Sequence, residues 1–334
     1  IRDSPEYQHQ FFVDSTPSVE DVYIRANGGS LSWNTIVIGG LGAGGRGYYA
    51  LNITDTNPED NPANQVLWEF GPEDDPDATI DPDDGSIISD LGFSFGRPLI
   101  AMSNANDGDE QRWVAIFGNG YNSTSLDGEA VIYALFIDRG IDGSWQQSGD
   151  LVKINTGIDG EDRPNGIADV RGIDTDGNGT VDRLYAGDLE GNLHVVNISS
   201  STSSDWALNS NRFILLKATG PDSNSQPITT RPIAVNNESG DGVIVIVATG
   251  SYFTTSDAID TNIQSIYGVV DSTAENNTIG TRIRIDNLTK QELENNLFVD
   301  EALGISLDVR TVSTNLPEPG DQGWFIDFDV ESID

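Results

Sequence analysis

Four stretches of this 334-residue chain repeat one order of parts, and that repetition restricts its fold more than any other feature. Each opens on a proline-led apolar segment, at Pro17, Pro98, Pro164 and Pro232, with spacings of 81, 66 and 68 residues. A β-branched run closed by a turn follows: TIVIGG from Thr35, WVAIFGNG from Trp113, RLYAGD from Arg183 and VIVIVATG from Val243. Next come YYALNI from Tyr48, IYALFI from Ile132, LHVVNI from Leu193 and IYGVVD from Ile266. The outer-strand candidates are VLWEF from Val66, DLVKINTG from Asp150, RFILLKA from Arg212 and TRIRI from Thr281. Runs this short, rich in Val, Ile and Tyr and bounded by Gly, Asn and Asp, predict strands rather than long helices. A four-stranded unit cannot cover both of its faces alone, so a series of them predicts an all-β chain whose sheets stack radially, a β-propeller. A sandwich or a string of small β domains is the competing architecture.

From Gln291 onward the pattern loosens. QELENNLF reads as weakly helical, whereas ISLDVRTV and WFIDFDV read as strands of a partial fifth blade. The expectation is one propeller domain over 1–334, four recognisable blades plus a partial one, open to being a fragment of a larger ring. Residues 71–90, GPEDDPDATIDPDDGSIISD, read as an acidic, solvated insertion between blades. The chain starts at Ile1 and carries one methionine, Met102, which suggests a processed or excised piece.

Within the third unit lies DTDGNGTVD, from Asp174 to Asp182, with oxygen donors at alternate positions around a Gly-Asn-Gly turn. Positions 1, 3, 5, 7 and 9 are Asp174, Asp176, Asn178, Thr180 and Asp182. A hard cation takes several oxygens at about 2.3–2.6 Å, and such a loop can offer four side chains and one backbone carbonyl, here that of Thr180. Calcium is the cofactor this spacing points to. An EF-hand would place Glu at position 12 and continue as a helix, but that position is Tyr185 in a strand-like LYAG, so the loop is EF-like without the hand. An ordinary Asp/Asn/Gly turn between strands is the plainer reading. NANDGDE, from Asn104 to Glu110, lacks the alternation and reads as a hairpin tip rather than a second cation site.

Composition removes other classes of function. With 54 Asp and Glu against 17 Lys and Arg, the formal net charge is −37, which repels nucleic acid and anionic membrane surfaces. There is no cysteine, hence no disulfide or thiolate metal site. No apolar stretch is long enough to span a membrane. The two histidines, His9 and His194, assemble no catalytic constellation, and the chain reads as non-enzymatic. LGAGGRG, from Leu41 to Gly47, lies between two strands and reads as a hairpin turn rather than a phosphate loop.

Taken in order, WNTIVIGGLGAGGRGYYALNIT, ISDLGFSFGRPLI, WVAIFGNGYNS, IDTDGNGTVDRLYAGDLEGNLHVVNI, VATGSYF and QSIYGVVD resemble the C-terminal propeller of the PilY/PilC type IV pilus proteins. HQFFVDSTPSV and GWFIDF fit its flanks, so the resemblance covers nearly the whole chain. It implies a quinoprotein-like, modified seven-bladed propeller, exported through the periplasm to the pilus tip or outer cell surface. It also implies a calcium loop tied to pilus extension and retraction, adhesion to a surface or host receptor, and minor pilins or other tip proteins as partners. The family's ligands fall on Asp174, Asp176, Asn178, the Thr180 carbonyl and Asp182. Its variable N-terminal adhesive region is absent, and its strands beyond GWFIDF are missing here. No RGD tripeptide is present. The alternatives are an integrin-like cation-loop propeller that binds protein or glycan outside a pilus, and a quinoprotein dehydrogenase-like enzyme.

Overall fold

The computed structural model describes residues 9–55, 57, 62–108, 110–125, 128–161, 163–237, 242–255, 257–272, 281–300 and 304–328. Four successive sheets follow the four sequence units. The first runs through Ser18–Ile24, Ser32–Gly40, Tyr48–Asn52 and Val66–Phe70, each strand antiparallel to the one before. The second comprises Leu99–Asp107, Glu110–Gly118, Val131–Phe136 and Leu151–Asn155. Ile167–Ile173, Arg183–Asp188, Asn192–Asn197 and Arg212–Lys217 build the third. Ile233–Asn236, Val243–Ala248 and Ser265–Asp271 begin the fourth.

Three apolar cores fill the spaces between consecutive sheets. Ile36, Ile38, Tyr48 and Phe70 of the first sheet pack against Phe117, Tyr133 and Leu135 of the second. Val114, Ile116, Ile132 and Phe136 turn the opposite way, toward Val170, Leu184 and Val196 of the third. Tyr185, Leu193 and Val195 then meet Val245, Tyr267 and Val269 of the fourth. The period-2 alternation of a strand explains this, since successive side chains leave on opposite faces. A sheet covered on both sides needs apolar residues at every position, which is why Val131–Phe136 reads VIYALF and is wholly buried. Fully burying each large apolar side chain contributes about 1.5–3 kcal/mol, so the stacked faces hold the molecule together.

The glycines closing the second strands allow the next segment to pass close by. A Cβ on Gly118 would stand 2.1 Å from the Ile167 carbonyl oxygen, and one on Gly187 would stand 2.1 Å from the Ile228 side chain. The opening segments are also cross-linked from sheet to sheet: the Arg97 N–H donates to Asp169 at 2.9 Å, and Arg231 Nε to the Val170 carbonyl at 3.2 Å.

Several expectations are revised. TRIRI does not close the fourth sheet: Arg282–Ile283 pairs in parallel with Arg212–Lys217 and extends the third. Gly323–Asp327 closes the fourth instead, antiparallel to Ser265–Asp271, with Thr289–Gln291 beyond it. The Trp324 indole covers Gly268, where a Cβ would lie 2.5 Å from the ring. QELENNLF is not helical; Leu293–Asp300 and Ile305–Val312 form a two-stranded hairpin. Cross-strand pairing with Ile305–Val312 over the whole length of Leu293–Asp300 overrides the local helical propensity of Glu, Leu and Gln. The described part of the expected fifth-blade strands thus divides between that hairpin and the fourth sheet, while Asp329 and Val330 lie outside the described residues. Residues 71–90 are not uniformly solvated: Asp75, Ser89 and Asp90 are buried.

Candidate metal centre

DTDGNGTVD joins the first two strands of the third blade, as its spacing predicts. No helix follows: position 12, Tyr185, is buried within Arg183–Asp188, and its hydroxyl donates to Asp271 of the fourth blade at 2.7 Å. Arg183 reaches the same carboxylate at 2.7 Å. The loop's exit strand is therefore anchored before the loop itself is considered.

The backbone curls because two positions adopt left-handed geometry, Gly177 at φ 79° and Gly179 at φ 89°, which side chains with a Cβ resist. Asp174 caps the curl, its Oδ1 accepting N–H bonds from Asp176 and Gly177 at 3.2 and 2.7 Å and its Oδ2 one from Gly179 at 2.7 Å. Those donors, Gly179 foremost, hold the Asp174 carboxyl below its ordinary pKa against the opposing effect of desolvation. Asp176 accepts from the Asn178 N–H at 3.1 Å, and Asn178 Oδ1 from the Thr180 N–H at 2.7 Å. Asp182 is nearly buried and accepts from the Thr175 N–H and hydroxyl, both at 2.8 Å.

Oxygens of Asp174, Asp176 and Asp182 lie within 4.8 Å of one another. Two carboxylates ~4 Å apart repel by about 1 kcal/mol in bulk water and about 4 kcal/mol at an effective dielectric of 20. No ion pair links these three acids to a basic side chain among the described residues. The chemistry is that of a hard-cation site: oxygen-only donors, preorganised by the backbone, with uncompensated negative charge. Asn178 and Thr180 sit in the same curl, but their side-chain oxygens already hydrogen-bond within the protein.

One participant escapes the alternation rule. Asn104, on the first strand of the second blade, donates from Nδ2 to Asp182 Oδ1 at 2.9 Å and to the Val181 carbonyl at 3.1 Å. Its Oδ1 accepts from the buried Thr180 hydroxyl at 2.9 Å. Val181 also donates its N–H to the Met102 carbonyl at 3.0 Å. The neighbouring blade thus grips the loop's final turn. NANDGDE does form a hairpin tip, with Asp109 outside the described residues, and the only sequence signal for Asn104 was its place in that polar run.

A second acid cluster appears at Asp75, Asp77 and Asp90, again within 4.8 Å. Here Lys153 Nζ occupies the centre, 2.7, 2.9 and 2.6 Å from the three. His194, the strand histidine, lies 2.7 Å from buried Asp188. Burial pushes Asp188 up, but His194 and the Asn192 donors outweigh it and leave the carboxyl below its ordinary pKa.

The model of the family described as "PilY1 beta-propeller domain" matches residues 5–305. The chain is 33% identical over 282 residues to the type IV pilus biogenesis factor PilY1 homolog of Xylella fastidiosa, covering 80% of this chain and 17% of that protein. It is 31% identical over 350 residues to the type IV pilus biogenesis factor PilY1 of Pseudomonas aeruginosa PAO1, covering 96% of this chain and 27% of that protein. The crystal structure of the Pseudomonas aeruginosa PilY1 C-terminal domain superposes with a TM-score of 0.70 at 29% identity, over 96% of this chain and 63% of that one. The chain therefore spans about a quarter or less of the curated relatives' length, and it belongs to the PilY1 β-propeller family.

Proposed function

We propose that this member of the PilY1 β-propeller family serves type IV pilus biogenesis as a non-enzymatic module whose third-blade loop binds one calcium ion. The observation that carries the reading is the convergence of Asp174, Asp176 and Asp182 within 4.8 Å, on a loop already curled by its own N–H donors. A calcium ion in the loop would supply the positive charge that these carboxylates lack. Asp174, Asp176, Asn178, the Thr180 carbonyl and Asp182 would hold it, and Asn104 and Thr175 would fix Asp182 in place. Without the ion the three acids repel one another and the final turn loosens from the second blade, an order-to-disorder change at a seam between blades.

The relatives' names support a pilus context. Minor pilins or tip proteins are the partners proposed, with control of extension and retraction and adhesion at the pilus tip or outer surface as the roles. No helix among the described residues is long and apolar enough to cross a membrane.

The test is thermal unfolding with calcium and with chelator. Calcium at ~100 times its dissociation constant stabilises a binding-competent protein by about 2.7 kcal/mol, so chelator lowers the melting temperature by several degrees. Asp182→Ala removes the response. Identical curves with and without calcium sink the proposal.

A further inference from the structure

Between the first and second blades, where the leading hairpin of each blade turns, lies a cleft of about 590 Å³. That is within the ~300–1,000 Å³ of small-molecule sites. Its walls are aromatic. Tyr23 and Trp33 are register partners across the first hairpin, with ring centroids 5.4 Å apart at 49°. Trp33 in turn meets Trp113 of the second blade at 6.2 Å and 73°. Contact on two sides fixes the Trp33 indole, yet it remains 61% exposed. A held but uncovered aromatic surface is the kind that marks a binding site.

The rim decides the chemistry of the ligand. Arg25 forms a two-pronged pair with Glu110 at 2.9 and 3.2 Å, and Arg112 pairs with Asp138 at 3.4 Å. The remaining carboxylate, Asp107, is bonded by Arg139 at 3.1 Å. Each acid of the rim among the described residues therefore has a guanidinium beside it. An organic cation would have to compete with those guanidiniums for its counter-charge, and an anion would approach a chain of net charge −37. A neutral polyol needs no counter-ion: carboxylate oxygens accept its hydroxyl protons, guanidinium N–H groups donate to its oxygens, and the apolar face of a sugar ring covers an indole.

We propose that this cleft binds a neutral carbohydrate, with a hexose ring laid on Trp33 and its hydroxyls divided between Arg25 and Glu110. The inference stands on the cleft alone and does not require the calcium reading. The two sites nevertheless share Met102: it lines the cleft, its carbonyl accepts the Val181 N–H at 3.0 Å, and a Cβ on Gly179 would lie 3.8 Å from its methyl.

The experiment follows tryptophan emission of calcium-replete protein titrated with neutral gluco-, galacto-, manno- and N-acetylglucosamine oligosaccharides, with choline as the cationic comparator. A saturable change with at least one neutral series is expected. Trp33→Ala should weaken it about tenfold or more while the protein stays folded with a single cooperative melting transition, because most of the side chain is exposed and only its contacts with Tyr23 and Trp113 are lost. Glu110→Gln should weaken it severalfold. Three results overturn the proposal: no saturation with any neutral sugar at millimolar concentration, tighter binding of choline than of every sugar, or unchanged affinity in Trp33→Ala.

Discussion

Two places in the molecule bring three aspartates together within 4.8 Å, and they neutralise them in opposite ways. Around Asp75, Asp77 and Asp90 the compensating charge is part of the chain, since Lys153 is nearly buried and contacts all three. Around Asp174, Asp176 and Asp182 the donors among the described residues are neutral: backbone N–H groups, the side-chain amides of Asn104 and Asn178, and the hydroxyl of Thr175. The first arrangement is permanent: it ties the acidic segment 71–90 to the outer strand of the second blade. The second has no such built-in cation, and under the calcium proposal its counter-charge would come from an exchangeable ion, as a responsive element requires. Acid count alone does not distinguish the two places; the presence or absence of a built-in counter-charge does.

The comparison breaks most visibly if the lysine is removed. Lys153→Met strands two buried carboxylates and one exposed carboxylate, and loss of one partner from a buried pair costs about 3–5 kcal/mol, read from denaturant unfolding. It also turns this cluster into a likeness of the loop, so added calcium should recover part of that loss. If calcium recovers nothing, the two triads differ in more than their counter-charge. Next in size is Asn104→Ala, which removes the bonds from Asp182 and Thr180 while leaving all five proposed ligands. A lost hydrogen bond to a charged group is worth about 1.5–3 kcal/mol, so calcium titration should show affinity about tenfold weaker or more. Unaltered affinity would reduce Asn104 to a packing residue.

The smallest effect is in pH, and it has opposite signs at the two places. Asp174 has a folded pKa below its unfolded one, so its contribution is present above pH ~4 and disappears as pH falls through the folded value. For Lys153, burial lowers the pKa, but the hydrogen bonds it donates to Asp75, Asp90 and Asp77 outweigh it and leave the ammonium raised. Its contribution is full below pH ~10.4 and is lost as pH rises through the folded value. Melting scans across pH should show an acid limb made shallower by Asp174→Asn and an alkaline limb made shallower by Lys153→Met, the remainder of each coming from other shifted groups such as Asp188 and Tyr185. A slope left unchanged by its own substitution contradicts the assignment.

The four sheets were legible because the physics behind them is local. Strands covered on both faces must be continuously apolar, and the passing glycines leave a mark at Gly118 and Gly187. The loop was legible because its proposed ligands lie within nine residues. What the sequence did not show was contact between distant segments. Nothing in TRIRI or GWFIDF says which of them pairs with IYGVVD; the choice follows from Trp324 fitting over a residue with no Cβ, Gly268. Asn104 and Asp182 are 78 positions apart, and Lys153 and Asp75 are also 78 apart, so neither contact leaves a periodic signal. The cleft shares that limitation, since Trp33 and Trp113 meet only after two blades have stacked.

The grip on Val181 has a mechanical side. Both of its peptide groups are held by the neighbouring blade, N–H to Met102 and carbonyl to Asn104, beside a parallel bridge from Ser103. Traction that slides the second blade along the third strains these links together, as in a lap joint, instead of opening them one after another like a zip. The residues that terminate the loop would therefore share any such traction between the two blades.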